Sequence, residues 1–169
     1  MSEDGQTRAR AVLAGTADVR IAPADPRDPA VRDCLRQYYD ELAQRFRQGF
    51  DVSLSRDPEA DDMLPPRGIF LMAWSGHLPM GCAGLKGLGN SEAEVKRVWV
   101  APAARRMGLA RRLMVEIEAR AVALGIRRLM LDTNSTLTEA VALYRKTGWV
   151  QIDRFNDDPY PDAFFEKCL

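Results

Sequence analysis

The sequence predicts a mixed α/β fold, a sheet with helices packed against it, and three observations carry that expectation. Apolar residues recur at helical spacing in three stretches. Short apolar runs bounded by Gly, Pro and Asn lie between and around them and read as strands. Their order is strand, helix, three hairpin-connected strands, helix, strand, helix, two strands, which describes a mixed sheet with helices against it.

Each element has its own signal. Residues 1–17 are polar and aperiodic, with Gly5 and Gly15, and are expected to form a flexible leader. Val19–Ala22 is a short strand before a Pro-Asp loop. From Ala30 to Gln48, Val31, Cys34, Leu35, Tyr38, Leu42 and Phe46 fall on one helical face, with Gly49 as the stop. Asp51–Arg67 is acidic, carries three prolines and is expected to be a long loop or a broken turn. Ile69–Trp74 and Met80–Leu88 form a hairpin about Ser75–Pro79, and Gly89-Asn90-Ser91 turns the chain into Ala93–Val100. Gly108–Leu124 sets Leu109, Leu113, Ile117, Ala121 and Leu124 on one face, with Gly125 after it. Arg127–Asp132 is an apolar strand. Thr136 and Glu139 have capping-box spacing before a helix running to Gly148. Trp149–Ile152 and Phe164–Lys167 are terminal strands around a polar, Pro-containing loop.

Composition narrows the function classes. At 169 residues with 46% hydrophobic content, the chain suits one domain with a sizeable core. Basic and acidic residues balance at 24 each, so no global field points to nucleic acid. Six basic and no acidic residues lie between Lys96 and Arg112, while Asp51–Asp62 and Asp153–Asp162 lean acidic. A local basic cluster in a neutral chain fits a small anionic ligand. Cys34, Cys82 and Cys168 form no CxxC pair, so neither a metal site nor a disulfide framework is expected. No apolar run reaches the roughly 18 residues of a membrane span, and the N-terminus lacks a signal-peptide core. A cytoplasmic location is expected, and the sequence leaves the oligomeric state open, a homodimer included.

The chemistry concentrates in Glu94-Val95-Lys96-Arg97-Val98-Trp99-Val100-Ala101-Pro102 and Arg105-Arg106-Met107-Gly108-Leu109-Ala110. A strand delivers the chain to a short loop, and a helix starts near Gly108. Helix N-termini offer unpaired N–H groups and a positive dipole end, which suits a phosphate. Gly108 permits close approach, Ala110 keeps the first turn small, and Arg105, Arg106, Arg111 and Arg112 add charge. R-x-x-G-x-A alone fits equally well an ordinary helix start with a solvated arginine face.

With the strand before it, the amphipathic helix after it, the strand ending Leu131-Asp132 and then Ala140-Val141-Ala142-Leu143-Tyr144-Arg145-Lys146-Thr147-Gly148-Trp149, the chain resembles the GCN5-related N-acetyltransferase (GNAT) family across residues 18–169. The resemblance implies a GNAT fold, a mixed and mostly antiparallel sheet with a splayed strand pair, here the strand ending at Val100 and Arg127–Asp132. It implies acetyl-CoA as the acyl donor, with Arg105, Arg106, Gly108, Leu109 and Ala110 at the pyrophosphate. Trp99 and Val100 would pair with pantetheine through their backbone. It implies an enzyme that acetylates a primary amine by direct attack in a ternary complex. Glu94 would be the general base, working through water, and Tyr144 would supply the proton to the leaving thiolate. The Val100 N–H would hold the oxyanion. Glu94 could equally sit at a strand edge beside Lys96, and Tyr144 could be a core tyrosine. Where many relatives carry an Asn ahead of the alanine matching Ala140, this chain has Leu137, with Asn134 nearby.

On the acceptor side, Glu41 and Arg45 on the first helix are spaced for an i,i+4 ion pair, or for gripping an acceptor's amine and carboxylate. Asn156 and Tyr160, in the loop before the last strand, read as acceptor contacts or as turn residues. The acidic lean of these segments favours a cationic amine, small or amino-acid-like. An amine on protein or tRNA, and a non-catalytic CoA-binding regulatory module, are the alternative readings. His77, in a hairpin turn, is expected at the surface.

Overall fold

The computed structural model describes residues 18–54 and 61–169; the expected leader lies outside them. Seven strands form one sheet: β1 (Arg20–Pro23), β2 (Ile69–Ser75), β3 (Leu78–Gly89), β4 (Glu92–Val100), β5 (Arg128–Thr133), β6 (Val150–Ile152) and β7 (Ala163–Cys168). Their order across the sheet is β1-β2-β3-β4-β5-β7-β6. Every neighbour pair is antiparallel except β4 and β5, which run parallel. That parallel pair requires the crossover through helix α2 (Leu109–Ala123), since no tight turn can join parallel neighbours.

Strand alternation divides the core between two faces. Leu71, Ala73, Leu85, Val95, Leu129 and Leu131 pack against Leu109, Leu113, Met114 and Ile117 of α2 and Tyr144 of helix α3 (Thr138–Lys146). Phe70, Met72, Cys82 and Trp99 face the other way, onto Val31, Cys34 and Leu35 of helix α1 (Pro29–Arg45). At about 25 cal/mol per Å² of apolar area removed from water, these layers are the main source of stability.

Several local expectations are corrected. Helix α1 ends at Arg45 rather than near Gln48, because Phe46 adopts extended backbone (ψ 134°) and returns its N–H to Leu42. Gly49, at φ 72°, lies past that end. The Thr136–Glu139 capping box does not form. Leu137 is the residue before α3 and no side chain caps the helix. The Glu139 carboxylate is held instead by Arg45, whose Nη2 also donates to the Thr136 carbonyl at 3.0 Å. Asn134 Oδ1 accepts from the Thr136 N–H and hydroxyl at 3.0 and 2.8 Å. Two short 3₁₀ turns, Val52–Leu54 and Asp61–Met63, occupy described parts of the expected loop, and Met63 is fully buried. His77 sits exposed in a two-residue turn between β2 and β3. No helix among the described residues is long and apolar enough to cross a membrane.

Candidate functional site

Strands β4 and β5 pair only from Glu92↔Arg128 to Val95↔Leu131. Beyond Val95 and Leu131 they share no further register, so the sheet opens there. A bulge shapes the free end of β4. Gly84 opposes Lys96 and Cys82 opposes Trp99, so Arg97 and Val98 stand against Ala83 alone. Arg97 takes φ 56°, a left-handed conformation that costs a non-glycine residue about 1–2 kcal/mol. Its carbonyl receives the Cys82 thiol at 3.2 Å.

On the α2 side, Val100 leads through a 3₁₀ turn at Pro102–Ala104 to Gly108, the residue immediately before α2. Arg106 (φ 64°) and Gly108 (φ 75°) both adopt left-handed backbone. Nothing lies within 4 Å of where a Gly108 Cβ would sit, so the conformation, not crowding, calls for glycine. No side chain caps α2, which leaves its first-turn N–H groups, with the positive helix end, suited to an anion. Leu109 is buried as a core anchor and Ala110 is partly buried against the same core. These features fit a pyrophosphate.

Arg105 is differently engaged. Its Nη2 lies 2.5 Å from Glu41 Oε1, and its Nε donates to the Val100 carbonyl at 3.1 Å. Glu41 Oε2 also accepts from the Trp99 indole N–H at 3.1 Å. Glu41 therefore joins the free end of β4 to α1. It does not pair with Arg45, which reaches across to Glu139 on α3. The two acidic and basic residues of α1 are not brought together, and neither lines the cleft described next.

On the α1 side of the opening is a cavity of about 100 Å³. Its wall is aromatic: Tyr38, Tyr39, Phe46, Phe50 and Tyr160. Phe50 and Tyr160 ring centroids are 4.6 Å apart, and Phe46 stacks on Tyr160 at 5.9 Å. The Tyr160 hydroxyl accepts the Asp51 N–H at 2.7 Å, fixing the loop after α1 to the loop before β7. The floor is polar, with Lys96, Arg97, Asp132 and Asn134. The Arg97 guanidinium lies over the Tyr39 ring, 5.9 Å from its centroid. Asn156, a predicted contact, donates to Asp132 Oδ2 at 2.6 Å. Asn134 donates to the Tyr160 carbonyl at 2.8 Å, so it braces this wall.

Glu94 is 1% exposed and does not line the cavity. Lys96, which does line it, sets its Nζ 3.5 Å from Glu94 Oε2. Tyr144 is buried among Trp149 and Phe165. Burial, and then the Asp132 charge, push its hydroxyl above the ordinary tyrosine range, so it stays protonated at neutral pH. Burial does the same to Tyr38, with Cys82 and Tyr144 adding to it. Lys96, Arg97, Asp132 and Phe50 were given no site role from sequence, and Tyr38 and Phe46 were read there as apolar positions of the first helix. Alternation would have put Lys96 beside Glu94 on one face, but Asp132 joins them only through the β4–β5 register.

The Acetyltransferase (GNAT) family model matches residues 35–149. The IAA acetyltransferase of Azospirillum brasilense is 31% identical over 148 residues, covering 85% of this chain and 95% of that protein. A Staphylococcus aureus acetyltransferase of the GNAT family superposes with TM-score 0.77 at 18% identity, over 89% of this chain and 98% of that one. A GNAT family acetyltransferase from Elizabethkingia anophelis, solved with acetyl-CoA bound, superposes with TM-score 0.65 at 20% identity, over 90% and 99%.

Proposed function

The chain belongs to the Acetyltransferase (GNAT) family, and from that premise we propose that it transfers an acetyl group from acetyl-CoA to the primary amine of a small-molecule or amino-acid-like acceptor, by direct attack within a ternary complex. The carrying observation is the opening between β4 and β5, with the uncapped start of α2 on one side and a small walled cavity on the other. A donor and an acceptor entering from opposite faces would meet there.

The donor's pyrophosphate falls to the backbone amides after Gly108, with Arg106 adding charge at the surface. Leu109 and Ala110 form that first turn. Because Arg105 is already engaged by Glu41 and Val100, its part is to shape the loop. Trp99 and Val100 lie on the stretch of β4 that β5 leaves unpaired and run beside pantetheine; the Val100 carbonyl is taken by Arg105, and its N–H suits the developing oxyanion. The acceptor side is formed by Tyr160, with Asn156 acting from outside the cavity through its hydrogen bond to Asp132. Glu41 and Arg45 act from behind it, by fixing α1.

An alkylamine is mostly protonated at pH 7, with an ordinary pKa of about 10.4, and must lose a proton before attack. Glu94 receives that proton through water. The nitrogen then attacks the thioester carbonyl carbon, the C–S bond breaks, and the thiolate leaves with the sulfur's electron pair. The nitrogen's second proton passes to solvent as the amide forms, and the free thiolate takes one up from solvent. A thiol of this kind has a pKa of about 8.5, below that of Tyr144. Outright proton transfer from the phenol would be uphill, so Tyr144 serves by donating a hydrogen bond to sulfur as charge develops. The balance of 24 basic and 24 acidic residues disfavours a tRNA acceptor. Thiol release should be followed with acetyl-CoA and a panel of small amines and lysine peptides. Release with small amines alone supports the proposal; release with peptides alone sinks it.

A further inference from the structure

The cavity floor holds a partly solved charge arrangement. Glu94 and Lys96 alternate onto the α1-facing side of β4, and Asp132 occupies the same side of β5, one residue past the last β4–β5 pair. Lys96 Nζ is 3.5 Å from Glu94 and 3.9 Å from Asp132 Oδ2, and the three side chains are 10%, 1% and 12% exposed respectively. Charges this buried need partners close by. Lys96 is nearer to Glu94, which does not line the cavity. Asp132 is a cavity-lining carboxylate where the strands part, oriented by the Asn156 amide on Oδ2. Oδ1 is the oxygen left to a cavity ligand. The other carboxylate on the wall, Asp158, turns its Oδ1 to the Tyr160 N–H inside its own loop.

We infer that Asp132 is the docking carboxylate for the acceptor's ammonium group, and that the acceptor is a compact monocationic amine with an apolar or aromatic body. The inference rests on the acetyltransferase reading and names the acceptor class for it. The aromatic wall of Tyr38, Tyr39, Phe46, Phe50 and Tyr160 covers the body of such a molecule. Lys96 and Arg97 repel a second positive charge, so a polyamine is disfavoured. Asp132 is a specificity-determining residue: it fixes the nitrogen at the opening, and Asn156 positions its carboxylate.

Calorimetric binding of phenethylamine to the CoA-loaded protein tests this without requiring turnover. The native protein should bind phenethylamine more tightly than spermidine. Asp132→Asn should weaken phenethylamine about 10- to 100-fold, the scale of one charge-assisted hydrogen bond, with acetyl-CoA affinity unchanged. Asn156→Ala, which leaves the carboxylate in place, should weaken it by a smaller factor and guards against misfolding of the first variant. Equal binding by Asp132→Asn and the native protein, or preference for spermidine, overturns the inference. Phenethylamine binding that depends on Asp132, without thiol release from any amine, would instead overturn the acetyltransferase reading alone.

Discussion

Arg105 Nη2 lies 2.5 Å from Glu41 Oε1, 64 residues away in sequence, and this contact ties the loop opening α2 to the helix that walls the cavity. The loop before α2 and α1 thereby share one ion pair, completed by the Trp99 indole. Both side chains are about one-quarter to one-third exposed, so the pair is partly shielded from water. Glu41→Gln and Arg105→Lys, combined in a double-mutant cycle by denaturant unfolding, should show a coupling of about 0.5–3 kcal/mol. Additivity within error would mean the contact carries no energy.

Gly108 should tolerate a side chain sterically but not conformationally. A residue other than glycine at φ 75° costs about 1–2 kcal/mol, and a β-branched one more. If that strain opens the loop, Gly108→Val should raise the acetyl-CoA KM about tenfold, with the amine KM little changed. Steady-state kinetics with each substrate varied separately checks this.

Tyr144→Phe keeps the ring that packs on Trp149 and Phe165 and removes only the hydroxyl. Turnover should fall about 100-fold, the usual loss for one transition-state hydrogen bond, with little change in acetyl-CoA affinity. Native-like turnover would leave Tyr144 a core residue only.

The same tyrosine makes an alkaline prediction. Its pKa and that of Tyr38 are raised in the folded protein, chiefly by burial, from the ordinary 10.0. Folding therefore favours their protonated forms. That stability is present below about pH 10 and is lost as pH rises beyond it. Thermal unfolding of Tyr144→Phe should fall less steeply between about pH 10 and 11.5 than that of the native protein.

The acid limb has the opposite sign. Arg45 holds Glu139 from an ordinary 4.5 down to about 2. The carboxylate's contribution is present above about pH 4.5 and lost as pH falls toward 2. Glu139→Gln should flatten the melting-temperature decline across that window; an unchanged slope would mean the pair contributes nothing in solution.

What sequence could convey depended on distance along the chain. The α2 start was legible because Gly108, Leu109 and Ala110 are neighbours and a helix terminus is a local property. The succession of seven strands and three helices along the chain was readable from apolar runs and turns, while the exchange of β6 and β7 across the sheet was not. The capping box failed because Arg45, 94 residues from Glu139, competes for its carboxylate. Glu41 likewise looked like a partner for Arg45 until tertiary packing gave it Arg105 and Trp99. The cavity floor was illegible for the same reason: Lys96 and Asp132 meet only because β4 and β5 pair in one register.

The central claim is that donor and acceptor are held together across the β4–β5 opening. Initial rates of thiol release, measured over a matrix of acetyl-CoA and amine concentrations, test it most directly. Intersecting double-reciprocal lines, with equimolar acetylated amine by mass spectrometry, are the predicted result. Parallel lines with an acetyl group retained on the protein would contradict it, because they mark a covalent route in which the two substrates never share the site.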